Sequence, residues 1–276
     1  MAVEASASAR RVVAALTCLA SSEHELTLTE IASATDMNKT TCQSVLLALI
    51  DSGYVRRDDD RKAYRLGPAV LALTTSVGVH QEALARVRIA MESISADLDV
   101  ETTATIATDR EIVKVAQVSR PRLQGHALRP GQSVPLAQPL GAAHVAWSDA
   151  RAITEWLERG GTSARAAAGK RALSDLALLR SRGFSATTRR SHRLDTAYRD
   201  DEWPDSQVRD VGRSARRIRQ LAVPVFGNDR RVLLVMGALE HDEADSTTIR
   251  VQLDRLLNAV AEITAAIGGF APTPSR

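Results

Sequence analysis

Positions 38 to 44 read NKTTCQS, and six of these seven residues carry a side-chain group that can donate or accept a hydrogen bond: Asn38, Lys39, Thr40, Thr41, Gln43 and Ser44. No imidazole or carboxylate lies within the stretch to take up a proton, so acid–base catalysis is not its chemistry. Short hydroxyls, an amide and an ammonium suit contact with a polyanion. Hydroxyls and helix-start N–H groups hold phosphate oxygens, and a side-chain amide pairs with a base edge. A basic set follows at Arg56, Arg57, Arg61 and Lys62, where charge toward a phosphate backbone matters more than geometry. Asp58, Asp59 and Asp60 interrupt that set and oppose it. The net charge of +3 and a pI near 9.1 add only weak support for an anionic partner.

Little else in the chain could carry a reaction. The six histidines are scattered and form no HExxH, and Cys18 and Cys42 lack the spacing of a zinc site. There is no G-x-S-x-G elbow, phosphate-binding loop or dinucleotide fingerprint. No catalytic residue, metal ligand or cofactor is therefore expected. His144, on a helix beside the expected pocket, could touch a ligand but is read first as a structural histidine, and the two cysteines are read as small apolar residues of a reducing compartment.

These groups need a scaffold. On a helical wheel of 39–51, Cys42, Val45, Leu46 and Leu49 form one apolar stripe, and Thr40, Ser44, Leu47 and Asp51 lie opposite. Asn38 is placed to cap this helix, and Gly53 follows its end. Helices are expected before it over 8–20 and 30–34, the second capped by Thr29. Short strands are expected over 54–57 and 63–66. Helix, helix, helix, hairpin is thus the order of residues 1–78. Helices over 68–75 and 81–98 come next. The second, with Leu84, Val87, Met91 and Ile94 three and four apart, suits a linker helix over 79–98 that packs on its own domain or on a second copy.

From residue 99 the pattern turns β-rich. ETTATIATD and EIVKVAQVS predict a hairpin, with a further strand near 125–128. Helices are expected over 141–147, 149–159 and 171–182, a strand over 184–187, a hairpin over 217–239 and a closing helix over 244–267. The result is an α+β chain with an antiparallel sheet in its second domain, 99–276. No apolar run is long enough to span a membrane, and the N-terminal residues read as a helix rather than a signal peptide, so the cytoplasm is expected.

LTLTEIASATDMNKTTCQSVLLALIDSGYVRRDDDRKAYRLGPAVLAL resembles the winged helix of the isocitrate lyase regulator (IclR) family of bacterial transcription regulators. The likeness continues through PGQSVPLAQPLGAAHVAW, LLRSRGFSATT and LAVPVFGNDRRVLLVMGALE. It implies a winged helix-turn-helix domain, a GAF-like effector domain, homodimers that often pair into tetramers, and palindromic double-stranded operators. Thr29, Asn38, Lys39, Thr40, Thr41, Gln43, Ser44, Arg56, Arg57, Arg61 and Lys62 would then face DNA. Gly141 and Ala142 would help hold an acidic effector. Thr187, Gln220, Met236 and Ala238 align with further effector positions.

Three departures stand out. Ser44 replaces a common arginine, and Met236 and Ala238 replace hydroxyl residues, which fits either a bulkier or more apolar effector than a small keto acid or, for Met236, plain core packing. The Arg- and Asp-rich segment 189–220 is longer than the family's usual connection and reads as a mobile loop, a cover for the pocket or an intersubunit contact. A rival reading is a small-molecule-binding or enzymatic module with an N-terminal helical dimerisation domain.

Overall fold

The computed structural model describes residues 6–22, 24–74, 78–119, 130–189, 204–207, 211, 218–239 and 244–272. The chain divides into two units, Met1–Gly78 with Arg129–Gln132, and Val79–Leu128 with Ser133–Arg276.

The first unit runs α1 (Ala7–Ala20), β1 (Leu26–Thr27), α2 (Leu28–Ala34), α3 (Lys39–Asp51), β2 (Val55–Asp58), β3 (Ala63–Leu66) and α4 (Ala69–Thr74). The stripe Cys42, Leu46 and Leu49 packs against Ala15 and Leu19 of α1 and Ile31 of α2, closed from below by Val55 and Tyr64. Burial raises the thiol pKa of both cysteines, and Cys42 is fully enclosed. Thr27, not Thr29, caps α2. Its hydroxyl accepts from the Glu30 N–H at 3.3 Å, and the Glu30 carboxylate accepts from the Thr27 N–H at 2.7 Å. Three residues after Thr29 stands Ala32, which has no oxygen to return that bond. Asp36, at φ 52°, turns the chain into α3. Behind α3 the strands pair in the order β1-β3-β2. Gly67 donates to the Tyr54 carbonyl at 2.7 Å, and a Cβ there would stand 2.2 Å from the Gly53 oxygen, so the wing closes only over glycine.

The second unit contains α5 (Gly78–Leu98), β4 (Glu101–Ala107), β5 (Glu111–Val118), β6 (Ser133–Pro135), α6 (Ala142–Val145), α7 (Ala150–Arg159), α8 (Ala167–Arg182), β7 (Ser185–Arg189), β8 (Pro204–Gln207), β9 (Ile218–Phe226), β10 (Val232–Leu239) and α9 (Ser246–Ala266). The sheet is antiparallel, in the order β6-β5-β4-β10-β9-β7-β8. One face packs on α5 and α9 through Val87, Met91, Ile94, Ile249, Leu256 and Val260. The other packs on α6, α7 and α8 through Val145, Trp156, Leu157, Leu176 and Leu179. The apolar stripe of α5 thus packs within its own domain. The expected strand near 125–128 and most of 189–220 lie outside the described residues; within the latter, β8 pairs with β7.

Candidate functional site

Two surfaces follow from these arrangements. On α3 the Asn38 side chain accepts from the Thr41 N–H at 2.8 Å and fixes the helix start. With the apolar stripe turned inward, Thr40, Gln43, Ser44 and Leu47 stand in solvent along one line, at the three- and four-residue spacing of a helix face. Ser44 donates to the Thr40 carbonyl at 3.1 Å, which leaves its oxygen lone pairs outward. Asn38 and Lys39 are exposed and Thr41 half-buried, while Thr29 is exposed on α2. Leu47, 56% exposed and absent from the expected contacts, extends the line with an apolar group able to meet a thymine methyl.

Arg56, Arg57, Arg61 and Lys62 are all exposed on or beside the β2–β3 hairpin. The acidic residues between them build the turn. The Asp58 carboxylate accepts from the N–H groups of Asp60 and Arg61 at 3.0 Å each, and these bonds, above all the one from Arg61, hold it below the usual carboxylate range. Asp59 lies 3.5 Å from Arg57.

The second surface is a cavity of about 150 Å³ between the sheet and α6. Strand alternation decides what enters it. On β10, Val235 and Leu239 face the cavity; on β9, Gln220 and Ala222; on β4, Thr103 and Thr105; on β7, Ser185. The row Ser185, Ala222, Gly237, Thr103 crosses β7, β9, β10 and β4 in register. A Cβ on Gly237 would come within 3.2 Å of the Thr103 hydroxyl oxygen. On β5 the register skips a residue opposite Ala104 and Thr105, so Ile112 and Lys114 face the cavity while Ala116 joins the opposite core. The Lys114 ammonium, on a residue 4% exposed, donates to the Gln117 amide oxygen at 2.9 Å.

The other wall is the segment before α6, held by α7. The Trp156 indole donates to the Leu140 carbonyl, the Arg159 guanidinium to the Leu136 carbonyl at 2.8 Å, and the Gln138 N–H to the Trp156 carbonyl at 3.1 Å. Gly141, at φ 81°, then starts α6. His144 follows, its Nε2 2.9 Å from the Thr105 hydroxyl; burial lowers its pKa to about 4, so the ring is neutral at pH 7.

Of the expected effector residues, Gly141, Ala142 and Gln220 line the cavity. Thr187 is buried next to Gln220 in register, outside the lining. Met236 and Ala238 do not line it. They belong to the core between the sheet and α5 and α9, because neighbouring strand residues point to opposite faces. The inference of a more apolar ligand from those two side chains therefore falls. Thr103, Thr105, Lys114 and Ser185 were missed as lining, and His144, expected beside the pocket, lines it. A lysine within the otherwise apolar 112–116 alternation was the signal available for one of them. Among the described residues there is no cluster of three potential metal ligands and no helix long and apolar enough to cross a membrane.

A half-polar helix carried on two others with a basic hairpin behind it is a winged helix-turn-helix. Residues 8–59 match the IclR helix-turn-helix domain, and the helix-turn-helix domain of this chain belongs to that family. The whole chain has the IclR fold. It is similar to the IclR transcriptional regulator of Alicyclobacillus acidocaldarius (23% identity over 96% of this chain and 100% of that one, TM-score 0.59). It is similar to an IclR homolog of Microbacterium hydrocarbonoxydans complexed with 4-hydroxybenzoate (15%, 95% and 99%, TM-score 0.62). It is also similar to the IclR of Thermotoga maritima (16%, 94% and 98%, TM-score 0.55). No curated protein matches the chain.

Proposed function

We propose that this protein is a cytoplasmic, ligand-responsive transcription regulator that binds a palindromic operator as a dimer or tetramer. Residues 8–78 supply the DNA-binding half, with Thr40, Gln43 and Ser44 entering the major groove and the wing cations on the backbone. The observation that carries this reading is the open, hydrogen-bonding face of α3 on a buried apolar back. The chain leaves that domain along α4 and α5, and α5 is part of the core of the cavity-bearing unit. A ligand in the cavity that favours one arrangement of paired recognition helices over another changes operator affinity, since half-sites lie roughly 34 Å apart and a small rotation loses one contact set. The 4-hydroxybenzoate bound by the Microbacterium homolog supports an organic acid as the kind of effector.

The test is binding to DNA upstream of the protein's own gene at 50 and 200 mM salt. Phosphate neutralisation predicts a loss of about tenfold or more. Salt-independent or absent DNA binding would return the chain to a small-molecule-binding module with a helical dimerisation domain.

A further inference from the structure

The wing and α3 offer different kinds of group. The wing cations Arg56, Arg57, Arg61 and Lys62 answer phosphates of any sequence. Along α3 the groups that stand outward are mostly uncharged: Thr40, Gln43, Ser44 and Leu47. The helix has no arginine, its one lysine is its first residue, Lys39, and its one acid is its last, Asp51. Base edges in the major groove separate these chemistries. Guanine is met most often by paired donors from Arg or Lys, adenine by the side-chain amide of Asn or Gln, and the thymine methyl by an apolar group.

Gln43 is the one amide on α3. Its side chain is exposed, and among the described residues it has no hydrogen-bond partner, so a donor and an acceptor are both open to an adenine edge. Leu47 follows one turn later, 56% exposed, and is the one large apolar side chain of α3 left in solvent. A single exposed leucine says little by itself. This one continues the line of groups that would meet the bases. Opposite an amino or carbonyl edge it would strand that polar group from water, whereas opposite a thymine methyl it loses nothing. Four residues of helix span roughly 6 Å, against a base-pair rise of about 3.4 Å. The two contacts therefore fall one or two base pairs apart.

We propose that α3 selects an A·T core in each half-site, with the Gln43 amide on N6 and N7 of an adenine and Leu47 on the methyl of a thymine one or two base pairs away. The assignment rests on the reading of the chain as a DNA-binding regulator and adds to it the kind of operator that is chosen. Lys39, at the start of the helix, is left to the phosphates.

The full-length protein tests this by selection from a pool of random-sequence duplexes. The best duplex is then resynthesised with one base altered at a time. At one adenine, 7-deazaadenine, which lacks the N7 acceptor, is expected to weaken binding about fivefold. Gln43→Ala should remove that sensitivity. At a thymine one or two pairs away, uracil, which lacks the methyl, should weaken binding about fourfold, and Leu47→Ala should remove that sensitivity. Guanine at the position that responds to Gln43→Ala, uracil without effect, or analogue sensitivities that persist in both variants would overturn the assignment. Both side chains are exposed; should either variant fail to fold, the analogues on the wild type still decide. Sequence-selective binding with any of these contrary results removes this inference alone. Absence of DNA binding at 50 mM salt removes the regulator reading with it.

Discussion

The exposed face of α3 draws its groups from a single stretch of one helix, whereas the cavity draws its wall from β4, β5, β6, β7, β9, β10 and α6. On the helix, one cap and one apolar stripe orient every side chain at once. In the cavity, each side chain's direction depends on strand register, and a shift of a single position exchanges the wall for the core. A contiguous site tolerates substitution residue by residue. A composite site is bound up with the packing of its domain, and damage to one is hard to separate from damage to the other.

The contrast between the two faces of β10 gives the largest expected effect. Met236→Ala removes a fully buried side chain from the α5 and α9 core and should cost about 2–5 kcal/mol in urea unfolding. Ligand affinity measured well below the midpoint should stay unchanged. A specific loss of ligand binding with full stability would put Met236 back in the wall.

His144 gives an effect of about 3 kcal/mol, because its pKa falls from 6.5 to about 4 on burial. The unfolded chain takes up the proton near pH 6.5 and the folded chain only near pH 4. The stabilisation is therefore complete above pH 6.5, declines as pH falls below it and is gone below about pH 4. His144→Gln should flatten that part of the stability–pH curve. A wild-type curve with the same slope as the variant's would mean the ring charges freely in the fold.

On the helical side the costs are smaller. Asn38→Ala removes the cap of α3 and should cost about 1 kcal/mol of stability, measured on the thermal transition. The wing is cheaper still for folding: Arg56→Ala should leave stability within about 0.5 kcal/mol. It should lower the slope of log affinity against log salt by about 1 if the side chain meets a phosphate. An unchanged slope would place the wing off the DNA.

The same contrast explains what was legible in the amino-acid order. The stripe Cys42, Leu46 and Leu49 and the Asn38 cap could be read from spacing alone, since a helix fixes side-chain direction within a few residues. Thr29 was misread as a cap because two threonines stand two apart, and only the glutamate three residues after Thr27 distinguishes them. Met236 and Ala238 were misplaced because resemblance carried over a strand without its parity, and Gly237 between them is the position on the cavity face. Lys114 stands out as a charge in an apolar alternation, but EIVKVAQVS does not show which face of β5 meets the cavity. Gly141, Ala142 and Gln220, which line the cavity, were named through resemblance, and no local spacing marks them.

The account stands or falls on whether α3 reads base sequence. The direct measurement is the ratio of affinity for the protein's own upstream fragment to that for random DNA of equal length, in the wild type and in Thr40→Ala and Gln43→Ala. A loss of about 1–3 kcal/mol on the upstream fragment with little change on random DNA is the expected result for at least one of the two. A wild-type ratio of one, or a ratio that neither substitution alters, would contradict it.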